Sequence, residues 1–76
     1  MVRLDDIMGV LQFARRPLST PEIARILTDR DRRSYYTSVR SCVFTKLNRE
    51  AERGNVVKQT VRHPKVILWS LPEAGA

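Results

Sequence analysis

The chain has 76 residues, of which 42% are hydrophobic, so it can form one compact core but is too short for two. Its net charge of +6 favours a polyanionic partner such as nucleic acid, and its single cysteine, Cys42, excludes an internal disulfide and favours a reducing, cytoplasmic location, nucleoid-associated in a prokaryote or virus. The opening MVRLDDIMGV lacks the apolar run of a signal peptide or membrane span. We therefore expect a single domain over residues 1–72 and a short tail over 73–76.

An amphipathic helix is predicted first. The apolar residues that recur at the spacing of one helical face are Leu4, Ile7, Met8, Leu11 and Ala14, with Val10 and Phe13 widening the stripe. Pro17 ends this helix, and Arg15 and Arg16 are expected in its last turn. Its broad apolar coverage makes it the expected interface of a homodimer. Phe13 is expected either to pack in the core or to lie exposed at such a contact.

A second, shorter helix is predicted to begin near Ser19. Ser19 and Glu22 have the spacing of a capping box, in which each residue caps the backbone of the other, although Thr20 is a competing first residue. The helix is expected to end near Leu27. Residues 28–33 contain no apolar side chain and are predicted to form a polar turn.

A long third helix is predicted over residues 34–53, closed by Gly54 in a left-handed cap. Its core stripe is predicted to comprise Tyr36, Val39, Val43, Leu47 and Ala51. Small hydroxyl side chains occupy the opposite face, where a solvated helix would favour Glu, Lys and Gln. Arg40 is expected to lean toward the core and to form a salt bridge with an acid such as Glu22.

The hydrophobic period changes from that of a helix to that of a strand after residue 55. Residues 56–61 and 65–71 are β-branched and aliphatic runs, which predict a β-hairpin with a basic tip at residues 61–65. Leu18 is a candidate for a very short third strand that pairs with this hairpin. The predicted class is therefore α+β, with three helices followed by a two-stranded hairpin.

This order of elements, together with four local motifs, resembles the winged helix-turn-helix superfamily of DNA-binding domains. The motifs are PLSTPEIA (17–24), YTSVR (36–40), RGNVV (53–57) and LWSL (68–71). The first two are also similar, more weakly, to the HARE-type helix-turn-helix modules of chromatin and restriction proteins. The resemblance implies that the third helix enters the major groove of double-stranded DNA. It also implies that the hairpin acts as a wing on the backbone or in the minor groove.

The basic residues lie where this resemblance needs them, because residues 30–65 contain ten basic and three acidic side chains. Arginines and hydroxyls near the third helix are expected to contact phosphates and base edges, and Tyr35, which flanks the core stripe, is expected to contact a phosphate. The predicted DNA-binding residues are Arg30, Arg32, Arg33, Ser34, Tyr35, Thr37, Ser38 and Ser41, with Lys58, Arg62, His63 and Lys65 from the hairpin. A solvated basic surface without a partner is the competing interpretation.

Catalysis and metal binding find little support in the sequence. The acidic pairs are too close along the chain to face each other across a site, and there is no glycine-rich phosphate loop. His63 has no second ligand at metal-binding spacing. We therefore expect no enzyme activity, cofactor, small-molecule ligand or membrane partner. The alternatives to DNA binding are a winged-helix adaptor for an acidic protein partner and an RNA-binding domain.

Overall fold

The computed structural model of the protein describes residues 2–30, 35–62 and 65–72, and the statements below concern that part of the chain. It contains three helices and one three-stranded antiparallel sheet. The elements are α1 (Leu4–Ala14), β1 (Leu18–Ser19), α2 (Thr20–Arg30), α3 (Tyr36–Glu52), β2 (Val57–Arg62) and β3 (Lys65–Ser70). The predicted α+β class, the hairpin and the short strand at Leu18 are confirmed. None of the described helices is both long enough and apolar enough to cross a membrane.

Helix α1 ends earlier than predicted. Its last residue is Ala14, and Arg15 adopts a left-handed conformation with φ of 55°. Arg15 and Arg16 therefore follow the helix and do not form its last turn, because the left-handed residue already redirects the chain before Pro17. Phe13 is 84% exposed, so of the two environments expected for this ring the exposed one is observed.

Helix α2 begins with the predicted capping box. The backbone N–H and the hydroxyl of Ser19 donate to Glu22 Oε1 over 3.2 and 3.1 Å, and the Glu22 backbone N–H donates to Ser19 Oγ over 3.3 Å. Ser19 is therefore the cap. Thr20, the competing candidate, instead accepts a 2.8 Å hydrogen bond from the indole Nε1 of Trp69.

The far end of α2 differs from the prediction, because the helix continues to Arg30 and does not end near Leu27. The Thr28 hydroxyl donates to the Ala24 carbonyl over 2.6 Å, so this polar side chain is satisfied within the helix. Arg30 thus lies in the last described turn of α2, where its charge suits the negative end of the helix dipole, and not in the predicted polar turn.

The capping box makes the stability of the domain pH-dependent. The backbone N–H of Ser19 is the main cause that lowers the pKa of Glu22, assisted by the Ser19 hydroxyl and Arg16 and opposed by partial burial. A lowered pKa in the folded state contributes stability above the unfolded pKa, and this stability is lost as the pH falls through the folded pKa.

We expect Glu22→Gln to be less stable than the wild type at pH 7, with a difference that shrinks as the pH falls below about 4.5. Glutamine keeps the capping geometry but not the charge. Urea denaturation at pH 7, 5 and 3 measures the difference. Glu52→Gln, on the exposed end of α3, controls for the general loss of a carboxylate. A difference independent of pH would show that the charge of Glu22 contributes nothing.

The core lies between the three helices and the inner face of the sheet. Helix α3 buries Val39, Val43 and Leu47, as predicted, and Tyr36 and Ala51 pack at the edge of the core. The other buried apolar side chains are Ile7, Val10, Leu11, Leu18, Ile23, Ala24, Leu27, Val56 and Trp69. This packing fixes the rotation of α3, so its other face must point outward.

The sheet has the strand order β1-β3-β2. Trp69 of β3 is paired with Leu18 on one side and with Lys58 on the other, while Arg62 is paired with Lys65 near the hairpin tip. Strand β2 begins one residue later than predicted, at Val57, and Val56 before it is buried in the core. The predicted left-handed cap after α3 is confirmed by Gly54, whose φ is 82°.

Candidate nucleic-acid interface

The outward face of α3 carries short hydroxyl side chains. Thr37, Ser38, Ser41 and Thr45 are all exposed, as the position of the core stripe predicts. Short side chains allow another surface to approach the helix backbone closely, and their hydroxyls both donate and accept hydrogen bonds. This face can therefore contact phosphate oxygens or base edges at short range.

An open groove of about 600 Å³ runs beside this face, between α3, the beginning of α2 and β3. Residues from three separate parts of the chain line this groove. Its lining comprises Thr37, Arg40, Ser41 and Phe44 from α3, Lys65, Val66 and Ile67 from β3, and Ser19, Thr20 and Pro21 at the beginning of α2. Two cationic side chains and several hydroxyls thus meet over an apolar floor.

Trp69 contacts two of the residues that line the groove, Thr20 and Phe44. Trp69 is completely buried, and its indole Nε1 bonds to the hydroxyl of Thr20. The edge of Phe44 meets the Trp69 ring with centroids 6.1 Å apart and an interplanar angle of 77°. One tryptophan therefore joins the sheet to α2 by a hydrogen bond and to α3 by an aromatic contact, and it holds the groove walls in place.

Arg40 lines this groove, which corrects its predicted role. Its side chain is exposed and Glu22 is not its partner, because Glu22 pairs with Arg16 at 3.2 Å. The capping box holds the Glu22 carboxylate at the beginning of α2, where Arg16 reaches it from the preceding loop. Arg40 thus lies on the exposed side of α3, at the groove, and not in the core.

Lys58 connects the hairpin to α3. Its ammonium donates to Asn48 Oδ1 over 2.9 Å and lies 5.8 and 5.7 Å from the ring centroids of Phe44 and Trp69. Such cation–π contacts contribute on the order of 0.5–1 kcal/mol at exposed sites. The predicted contact of Lys58 with a phosphate would have to compete with these neighbours.

The other predicted residues divide into three groups. Thr37, Ser41 and Lys65 meet in the groove. Exposed residues outside its lining are Arg30, Tyr35, Ser38 and Arg62, with Tyr35 81% exposed. The remaining ones, Arg32, Arg33, Ser34 and His63, lie outside the described residues, as do the whole predicted tail over 73–76 and part of the hairpin tip.

The beginning of α3 is suited to an anion. Tyr35 occupies the cap position without a side-chain cap of its own, and the first turn of the helix contains no acidic residue. The positive end of the helix dipole lies at this end. A phosphate placed there would be stabilised by that dipole.

Arg40 and Phe44 are the groove residues of α3 that the sequence reasoning did not assign to the interface. A signal for them was present, since Thr37, Arg40, Ser41 and Phe44 have the i, i+3, i+4, i+7 spacing of one helical face. Within the described ranges, no group of three His, Cys, Asp or Glu side chains is arranged to hold a metal ion.

Comparison with family models, with curated proteins and with solved structures found no significant match to this chain. The functional interpretation therefore rests on its own residues and their arrangement.

Proposed function

We propose that this protein is a winged helix-turn-helix domain that binds double-stranded DNA and acts as a small transcriptional regulator. The observation that carries the proposal is the meeting of Thr37, Arg40 and Ser41 with Lys65 in one open groove. Hydroxyls and cations converging on an exposed helix face suit the backbone of a polyanion. A cytoplasmic location follows from the same proposal.

Helix α3 is the element proposed to enter the major groove. Its 17 residues give a length of about 25 Å, and the major groove is about 12 Å wide, enough for one helix. Short hydroxyls at Thr37, Ser38 and Ser41 let the helix backbone come near the base edges. Tyr35 and Arg30, at the adjacent helix ends, are proposed to contact phosphates.

The hairpin is proposed to act as the wing. Arg62 and Lys65 are register partners, so two cations lie side by side near the tip. Lys65 also lines the groove beside α3, which connects the proposed wing contact to the proposed recognition helix. Arg32, Arg33, Ser34 and His63 are retained as proposed contacts from the sequence alone.

The test is a mobility-shift titration on random duplex DNA at several salt concentrations. If about five phosphates are neutralised, the logarithm of affinity should fall with the logarithm of salt with a slope of about −4 to −5. An acidic protein of similar size added in excess should not compete. Binding that is insensitive to salt would contradict the proposed mechanism.

Two observations favour a second candidate, an adaptor for a protein partner. Phe13 and Tyr35 are large aromatic residues that are 84% and 81% exposed, as residues at interfaces often are before a partner binds. The absence of any shift at low salt would favour this candidate. Competition of duplex DNA with structured RNA in the same titration ranks the remaining alternative, RNA binding.

A further inference from the structure

The outer face of α1 carries an aromatic ring beside an indentation. Phe13 is 84% exposed, and a shallow depression of about 540 Å³ is lined by Gly9, Gln12, Phe13 and Arg15. Residues 9 and 13 are one helical turn apart, so the ring and the glycine are neighbours on the surface. The Phe13 ring therefore projects from the surface of α1 beside a recess at Gly9, where there is no side chain.

The fold of the single chain does not explain this glycine. A Cβ added at Gly9 would meet no described heavy atom within 4 Å, and its backbone is not left-handed. Glycine inside a helix costs about 1 kcal/mol relative to alanine. The missing side chain therefore serves no packing need within the described residues, but it does keep the outer surface of α1 open.

The charges on this face are divided between its two ends. Asp5 and Asp6 are exposed in the first turn of α1, and Arg15 and Arg16 are exposed just after its end. Two parallel copies of this face would bring like charges together. Two antiparallel copies would place the acidic end of each against the basic end of the other.

One antiparallel register allows both rings to be seated. In an arrangement with twofold symmetry, paired residues share the same midpoint along the helix. Phe13 of each copy meets Gly9 of the other when that midpoint lies at the level of Leu11, so the contact is formed twice. The same antiparallel direction brings the acidic first turn of each copy toward the basic residues that follow α1 in the other.

We propose that two copies of this chain associate through the outer faces of α1, antiparallel, with Phe13 of each copy seated on Gly9 of the other. The contact is small, because a helix of 11 residues is about 16 Å long, and it buries less than the roughly 800 Å² per partner of a standard interface. The dimer is therefore weak, with a dissociation constant on the order of 100 μM.

Sedimentation velocity of the full chain without DNA tests the association, from about 5 μM to about 1 mM so as to span that constant. The wild type should shift from monomer to dimer over this range. Phe13→Ala should weaken association about tenfold or more, because an aromatic ring at the centre of a contact contributes most. Gly9→Leu should weaken it similarly by filling the recess, and Gln59→Ala on the exposed part of β2 is the control.

Circular dichroism checks that each variant is folded. Gly9→Leu should stabilise α1, because leucine has a higher helix propensity than glycine. A wild type that stays monomeric at the highest concentration would overturn the proposal. So would association that neither Phe13→Ala nor Gly9→Leu weakens. Because no DNA is present, these outcomes are independent of whether the proposed DNA binding is correct.

A charge exchange tests the antiparallel direction. Asp5→Arg and Arg15→Asp are chosen because Asp6 accepts the Arg3 N–H at 3.3 Å and Arg16 pairs with Glu22, so both are already engaged within the chain. Each variant alone should dimerise more weakly than the wild type, since the substitution replaces one attractive charge by a repulsive one at both ends of the symmetric contact. An equimolar mixture should form heterodimers at least as readily as the wild type dimerises. A mixture that remains monomeric would exclude the antiparallel arrangement.

Discussion

Trp69→Ala is expected to lower the free energy of unfolding by about 3–5 kcal/mol, the range observed when a large aromatic residue is removed from a core. Trp69 is completely buried and is the largest of the fully buried side chains. Proteins of ordinary stability unfold with about 5–15 kcal/mol, and a small domain lies toward the lower end. We therefore expect this variant to be mostly unfolded, as measured by urea denaturation and near-ultraviolet circular dichroism.

Conservative variants separate the packing of Trp69 from its hydrogen bond. Trp69→Phe removes the Nε1 donor to Thr20 and should cost about 1–3 kcal/mol, less than the alanine variant. Thr20→Val leaves the buried donor unsatisfied and should cost about 1–3 kcal/mol. The double variant should be more stable than the sum of the two losses predicts, since both groups of one bond are removed. Additive losses would mean that this hydrogen bond does not couple the two residues.

The second large effect is expected from the groove. Arg40→Gln combined with Lys65→Gln should weaken binding to duplex DNA by about 10- to 100-fold at low salt and should make the salt slope about 2 units shallower. Both cations line the same groove beside α3, so each is proposed to neutralise one phosphate. Fluorescence anisotropy with a labelled duplex at several salt concentrations measures affinity and slope together.

A matched control separates this local effect from the loss of net charge. Arg3→Gln combined with Arg25→Gln removes the same two charges from exposed positions outside the groove lining. We expect this control to change affinity by less than about threefold. Equal weakening by the two double variants would show that the protein binds DNA through its overall charge, and the proposed groove would be wrong.

Arg40 lines the groove, whereas the sequence predicts that it leans toward the core and pairs with an acid such as Glu22. A wheel of α3 places Arg40 beside the core stripe, and such a charge needs an acidic partner if it is buried. Glu22 was the expected partner, but the capping box and Arg16 already hold its carboxylate. Within the described residues Arg40 therefore lines the groove without an ion pair to Glu22.

Local chemistry determined much of the fold from the sequence by itself. The spacing of Val39, Val43 and Leu47 predicted which face of α3 is buried, and Ser19 with Glu22 predicted where α2 begins. Gly54 predicted the end of α3. These features depend on residues within about one or two helical turns of each other, where backbone geometry and hydrophobic period are sufficient.

The sequence predicted helix ends and buried charges less well, because several polar groups compete to pair with the same helix end or the same charged side chain. Helix α2 extends through polar residues to Arg30, and α1 stops before Arg15. Glu50 is buried although it is acidic, since it lies one turn after Leu47 on the core side of α3, and Arg53 approaches it to 3.6 Å. A sequence pattern indicates the period of a helix, but it does not indicate which polar groups will find hydrogen-bond or ion-pair partners among their neighbours.

Only the tertiary structure decided which residues meet. The hydrogen bond between Trp69 and Thr20 joins residues 49 positions apart, and the groove combines side chains of α2, α3 and β3. Arg40 of α3 and Lys65 of β3 line the same groove because of the way the sheet packs against the helices. Likewise the exposure of Phe13 follows from the rotation of α1 on the core, because a helix buries only the face that its neighbours can cover.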